Sequence, residues 1–289
     1  MRQTAGQTWT FDGWSVGYGI YAFDGHEVNK FSTATDEVRL HFGLKGDYKF
    51  YYNQFNKLFD LIGGHHNLMF SNGFDMELYN KSAEIETFGI NFSPDRFNTF
   101  IQGITEPWSN FVDKINRGEP AIYSNRWGAV NSPIQQVINQ IKHQSYSGKL
   151  LEAYLQAKAL ELITLCHTAF ANQEYSPSVL KHPQDKEKII AARDFIHQRL
   201  QNPPGLKEIT QHVGLNEYKL KCGFKETFQQ TVYSYLNTQR LDLAHRLVKN
   251  TGKTVAEISE EMGYATPQHF NNAFKKHFGF APLSVRKNS

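Results

Sequence analysis

Gln268, Asn271 and Asn272 fall within one short segment, and Lys275 and Lys276 follow directly. A carboxamide offers a donor and an acceptor side by side, which matches N6 and N7 of adenine. A lysine ammonium donates to guanine O6 and N7, or to a phosphate. That chemistry needs a rigid support that fits a major groove, and the neighbouring residues predict one. Thr266 caps a helix, and Pro267 takes its first position, where the missing N–H costs nothing. Phe270, Phe274 and Phe278 repeat every four residues, so one face is aromatic and buried while the amides lie on other faces. Upstream, Ile258 and Met262, beside Glu257, give a shorter helix its apolar stripe, and Gly263 supplies the tight turn between the two. A polar helix held against a partner by an aromatic spine is what the major groove admits.

The same pattern occurs twice. Ile209 corresponds to Ile258, Gly214 to Gly263, Leu220 to Phe270, Phe224-Lys225 to Phe274-Lys275 and Phe228 to Phe278, at an offset of 49 to 50 residues. Asn216 caps the earlier helix, and Leu220, Gly223 and Phe224 face inward. The segment from Arg240 to Ala244 sits in the helix joining the copies. Two helix-turn-helix units, at about 206–228 and 254–278, on one connecting helix can enter successive major grooves about 34 Å apart.

Glu257-Ile258, Gly263-Tyr264, Phe270, Phe274-Lys275-Lys276, Phe278-Gly279, Pro282 and Arg286 together resemble the signature of the AraC/XylS family of transcription regulators. The resemblance implies that Tyr218, Lys221 and Cys222 in the first unit, and Pro267, Gln268, Asn271 and Asn272 in the second, read bases. Lys219, Lys225, Lys275, Lys276 and Arg286 are better suited to phosphates. Cys222 and Asn272 stand where the family often has arginine, and Gln229 replaces the glycine that Gly279 supplies in the second copy. Cys222 is read first as a small packing residue. The resemblance also implies double-stranded DNA and RNA polymerase as partners, and activation as the usual outcome.

Charge is distributed to match. Residues 185–289 hold 16 Lys/Arg against 10 Asp/Glu, whereas residues 1–184 are acidic on balance. A basic excess there attracts phosphates and releases counterions. The 289 residues allow roughly two domains, and 40% hydrophobic with 20% charged residues is an ordinary globular mix. Two cysteines, Cys166 and Cys222, imply no disulfide framework. No signal-peptide pattern and no apolar run approaching membrane length is present, so a cytoplasmic location is expected and the sequon at Asn80 carries no meaning.

Residues 9–92 read as short strands. They include 14–21, 38–42, 48–52, 66–79 and 84–92, with turns at Lys45-Gly46-Asp47, Ser71-Asn72-Gly73 and Asn80-Lys81. The expected class is α+β: a small cupin-like β-barrel or sandwich with helices, followed by an all-α domain. The barrel-plus-helices domain is placed at 1–170, a Pro-containing polar linker at 171–184, and the helical domain at 185–289. Helices are expected from Pro94, from Ser132 and over 148–170. The last carries Leu151, Leu155, Ala159, Leu162, Ile163 and Leu165 on one broad face, which suits the domain's own core or an antiparallel pairing in a homodimer. Trp14, Tyr18, Phe42, Phe50 and Tyr52 are candidates for a barrel interior that receives a ring-bearing small molecule, or for plain core. The strings Tyr154–Leu165 and Asn202–Phe228, together with 66–80, resemble the siderophore-responsive branch of the family, which implies a ferric siderophore as effector. A sensor of another metabolite, or a ligand carrier with only non-specific DNA binding, are the rival readings.

No nucleotide, hydrolase or zinc-protease motif is present, and catalysis and cofactors are not expected. His65-His66 suggests a metal, but adjacent strand residues point to opposite faces and do not easily share one ion.

Overall fold

The computed structural model describes residues 1–25, 28–103, 108–174, 179–180, 182–228 and 230–287, without the side chains of 172–174, 183, 286 and 287. The chain divides into two compact units, Met1–Tyr175 and Ser176–Ser289.

The first unit is an antiparallel sheet backed by helices. Its strands are β1 (Arg2–Phe11), β2 (Trp14–Ala22), β3 (Val28–Lys45), β4 (Tyr48–Tyr52), β5 (Lys57–Leu61), β6 (His65–Asn80), β7 (Glu84–Phe92), β8 (Ala121–Ile122) and β9 (Gly128–Ala129). They order as β1-β2-β7-β3-β6-β4-β5, with β8 and β9 on β6. Among the described residues no ladder joins β1 to β5, so the hydrogen-bonded path stays open. The turn at Lys45-Gly46-Asp47 forms with Gly46 at φ +82°, where a Cβ would lie 2.3 Å from the Glu84 carbonyl.

The expected turn at Ser71-Asn72-Gly73 does not form. β6 runs straight through it, and the register against β3 shifts between Thr33 and Asp36 instead. Gly73 sits at φ +73° opposite that shift. A bulge, not a hairpin, is what the glycine serves. The bulge also changes which face β6 presents. Leu68 and Phe70 belong to one core, whereas Phe74, of the same parity, belongs to the other.

Those two cores lie on opposite faces of the sheet. One packs Trp14, Val16, Leu40, Phe42, Phe70, Phe88 and Ile90 against helices α1 (Pro94–Phe100), α2 (Ser109–Asn116), α3 (Ser132–Lys142) and α4 (Gly148–Glu174). Ser93 caps α1 and Asn131 caps α3, each accepting a backbone N–H from the first turn. Leu155, Ala159, Leu162, Ile163, Cys166 and Phe170 bury the inner face of α4. The other core gathers Tyr48, Phe50, Tyr52, Phe59, Leu61, Met69, Phe74 and Ile85.

The second unit is all helical: α5 (Pro183–His197), α6 (Leu206–Val213), α7 (Glu217–Phe228), α8 (Val232–Asn250), α9 (Val255–Glu261), α10 (Pro267–Phe278) and α11 (Pro282–Lys287). Phe270, Phe274 and Phe278 are buried against Leu241, Ala244 and Val248 of α8, Ile258 and Met262 at the end of α9, and Val285 of α11. Full burial of each ring contributes about 1.5–3 kcal/mol. Adjacent rings stand 5.6 and 4.5 Å apart by centroid, a tilted contact that adds to the area term. Helix α4 runs to Glu174 and α5 starts at Pro183, so helix enters both ends of 171–184.

Candidate nucleic-acid interface and effector cavity

The later helix-turn-helix is built by local chemistry. Thr254 and Glu257 form a capping box, with Glu257 Oε2 accepting the Thr254 N–H at 2.6 Å and the Thr254 hydroxyl accepting the Glu257 N–H at 3.2 Å. Those bonds to Thr254 hold the Glu257 carboxyl below its ordinary range. Gly263 makes the turn at φ +71°. Tyr264 then donates from its hydroxyl to Asn237 of α8 at 2.8 Å, and burial raises it to about 12. Thr266 accepts the His269 N–H at 3.2 Å and starts α10, with Pro267 in the first turn.

This arrangement leaves Gln268, Asn272, Lys275 and Lys276 exposed and Asn271 half-exposed. Gln268 donates to Asn272 at 3.5 Å, a long bond that a base edge can replace. Arg286 lies outside the described side chains, and Gln229 outside the described residues.

In the earlier unit Gly214 closes α6 at φ +63°, and the Asn216 carboxamide accepts the Lys219 N–H at 2.7 Å at the start of α7. Tyr218 is 69% exposed. Lys225 is exposed too. Lys221 is exposed but pairs with Glu217 at 2.5 Å, one turn back. Cys222 is a free, half-buried thiol. Lys219 is placed differently from its phosphate reading: its ammonium lies 2.7 Å from Asp185 on α5. The proximity of Lys219 holds the Asp185 carboxyl below its ordinary range. Sequence periodicity does not show this, because the partner belongs to another helix.

The two helix-turn-helix units share α8. Arg240 on α8 donates to the Leu200 carbonyl at 2.7 Å, three residues past the end of α5, and its guanidinium lies where a Cβ on Gly263 would come within 3.0 Å. Gln201 donates to Glu261 at 2.5 Å, and Lys253 pairs with the same carboxylate at 2.6 Å. A helix of 19 residues is about 28 Å long.

The first unit contains a cavity of about 210 Å³ on the second core's face of the sheet. Phe50 and Tyr52 line it, together with His41, Tyr48, Phe31, Phe74 and Met76. The structure does not bring the other three candidates there. Trp14 stacks near Phe92 in the helix-backed core, and Phe42 is fully buried in that same core. Tyr18 packs against that core with the Lys142 ammonium 5.0 Å from its ring. The reason is strand parity. Leu40 and Phe42 on β3 point to one face, Arg39 and His41 to the other. Tyr48 shares the parity of Phe50 and Tyr52, and that alternation was the available signal for it. Phe74 was hidden by the bulge.

His41, Tyr48 and His65 form a hydrogen-bonded row: His41 Nε2 to the Tyr48 hydroxyl at 2.8 Å, that hydroxyl to His65 Nε2 at 2.9 Å, and His65 Nδ1 to the Ile62 carbonyl at 2.5 Å. Burial pulls His65 down to about 4 and His41 well below its ordinary range, and raises the Tyr48 hydroxyl. His66 points to the opposite core, 4.7 Å from Phe170 by ring centroid, and burial pulls it down to about 3. Among the described residues no group of three or more His, Cys, Asp or Glu is placed to hold a metal ion, and no helix is long and apolar enough to cross a membrane.

A family model described as "Regulatory protein PchR N-terminal domain" matches residues 20–182, and one described as "Helix-turn-helix domain" matches residues 209–288. Regulatory protein PchR of Pseudomonas aeruginosa is 36% identical over 119 residues, covering 40% of this chain and 39% of that protein. An uncharacterized HTH-type transcriptional regulator, YidL, of Escherichia coli is 33% identical, covering 38% of this chain and 36% of its own length. The matches thus span under two fifths of the length of these relatives. A crystal structure of an apo ToxT variant from Vibrio cholerae aligns over 94% of this chain and 97% of its own at 13% identity and TM-score 0.37. With the first match covering more than half of its residues and the second its duplicated helical motif, the chain belongs to the AraC-type helix-turn-helix regulators that carry a PchR N-terminal domain, a family of regulators and not of enzymes.

Proposed function

We propose that this chain is a sequence-specific, DNA-binding transcription regulator, acting in the cytoplasm as an activator that contacts RNA polymerase. Residues 185–289 bind DNA and residues 1–170 receive a small molecule. The observation that carries the reading is the duplicated helix-turn-helix on one connecting helix, with Tyr218, Lys221 and Lys225 exposed on α7 and Gln268, Asn272, Lys275 and Lys276 exposed on α10. The amides and Lys221 face bases, with Cys222 and Asn271 beside them, and the outer lysines face phosphates. Lys219 serves α7 through Asp185. The effector class implied by the family branch is a ferric siderophore. Its binding shifts the balance between two arrangements on DNA, which requires different affinities for the two.

A homodimer is part of the same reading, but the Leu151–Leu165 face expected to pair is taken up by the unit's own core, where Leu155, Ala159, Leu162 and Ile163 are buried. The outer face of α4 carries Leu150, Ala153, Ala157, Leu160 and Thr164 at alternating three- and four-residue spacing, with Leu150 63% and Leu160 39% exposed. That spacing is the seam of a coiled coil.

The test is to incubate the purified protein with fragmented DNA from its own source and sequence what it retains. A recurrent site with two short half-sites about one helical turn apart supports the proposal. Iron-uptake genes beside it support the siderophore. Retention with no shared motif, lost on adding salt, replaces it with non-specific binding by a carrier.

A further inference from the structure

We propose that the cavity of the first unit takes a neutral, ring-bearing molecule carrying a hydrogen-bond donor, and that Nδ1 of His41 is the acceptor that reads it. This rests on the proposal that residues 1–170 receive a small molecule.

The direction of the hydrogen-bonded row follows from its far end. The Ile62 carbonyl only accepts, so His65 Nδ1 carries the ring proton. Burial keeps His65 neutral, which leaves its Nε2 bare to accept the Tyr48 hydroxyl proton. The Tyr48 oxygen then accepts from His41 Nε2–H. His41 is neutral as well, so Nδ1 has no proton and is an acceptor. Among the described residues it has no hydrogen-bond partner, and the His41 ring lines the cavity.

The rest of the lining sets the class. Phe31, Phe50, Tyr52 and Phe74 line it with aromatic rings, which suits a flat ring-bearing molecule. Arg39 also lines the cavity, but its charge is already engaged. Nη2 lies 2.8 Å from Glu37, Nε donates to Asn91 at 3.2 Å, and the guanidinium sits 4.4 Å above Phe74. The Arg39 charge is thus taken up by Glu37 and the Phe74 ring, while a neutral N–H or O–H finds a bare ring nitrogen in His41.

The test titrates the full chain calorimetrically with indole and with benzofuran, two rings of one size that differ by N–H against O. Indole is expected to bind about tenfold more tightly. The His41→Leu variant is expected to bind both alike. Tyr48→Phe releases the row that orients His41, and is expected to narrow the difference. Equal binding by the unsubstituted chain, or tighter binding of benzofuran, overturns the donor proposal and leaves the small-molecule reading standing. No binding of either ring also overturns the proposal for this cavity and leaves the small-molecule reading to its own effector. Spectra of histidine-¹⁵N-labelled, unsubstituted protein report the same point without a variant. Nδ1 of His41 should resonate as an unprotonated nitrogen and shift on adding indole; a protonated Nδ1 overturns the proposal.

Discussion

Lys219 on the first recognition helix places its ammonium 2.7 Å from Asp185 at the start of α5, with the Asp185 side chain 9% exposed. An ammonium held this way braces α7 against the unit's own core. Lys219→Ala should therefore lower the stability of the helical unit in urea denaturation and leave the salt dependence of DNA binding unchanged. The pH dependence has a defined sign. Lys219 lowers the Asp185 carboxyl in the folded state, so the pair's stabilisation is complete above the unfolded value of about 3.9 and is lost as pH falls through the lower folded value. Unfolding midpoints between pH 3 and pH 6 check this: the unsubstituted chain should lose more stability on acidification than the Lys219→Ala variant.

The exposed lysines should behave in the opposite way. Lys225, Lys275 and Lys276 are exposed and are not engaged by any ion pair among the described residues. Replacing each with alanine should reduce the slope of log affinity against log salt by about 0.9 and weaken binding to all sequences alike. Gln268→Ala and Asn271→Ala should each cost about 1–3 kcal/mol on the preferred site and little elsewhere. Fluorescence anisotropy on specific and scrambled duplexes over a salt series separates the two effects. An unchanged site preference after both amide substitutions removes α10 from base reading.

Arg240 joins the two helix-turn-helix units through the Leu200 carbonyl at one end and the Gly263 turn at the other. Its guanidinium is half-buried, and burial pulls it below its ordinary range. Arg240→Ala leaves that carbonyl without its charged donor and should destabilise the helical unit by about 1.5–3 kcal/mol. Denaturation in guanidinium checks the magnitude. An effect near zero means that water replaces the contact without cost.

Gly43 on β3 lies under the row that orients His41. A Cβ there would come 2.2 Å from His65 Cε1 and 2.6 Å from the Tyr48 hydroxyl. Gly43→Ala should cost about 1–3 kcal/mol through overpacking and should weaken ring binding. Gly89 on the neighbouring β7 is the control, since its nearest neighbour would be the Leu40 carbonyl at 3.6 Å. Gly89→Ala should leave both properties nearly unchanged, and thermal unfolding of the pair compares them directly.

The helical unit was legible because its signals are local. Thr254 with Glu257, Gly263, Thr266 with Pro267, and the phenylalanines at four-residue spacing each act within one or two turns of helix, and the second copy repeats them. Amino-acid sequence alone therefore determined two capped helix pairs with polar outer faces. The sheet was legible only in part. Alternation located β2, β4 and β7, but Gly73 looked like a hairpin turn. Its role is set by the register of β3 against β6, which links residues far apart in the chain. The same register decides that His41 and not Phe42 meets the cavity, because a one-residue change in pairing moves every side chain to the other face. Charge assignment also belongs to the tertiary structure. Lys219 and Lys225 look alike in sequence, and only the packing of α5 beside α7 spends one on Asp185 and leaves the other in solvent.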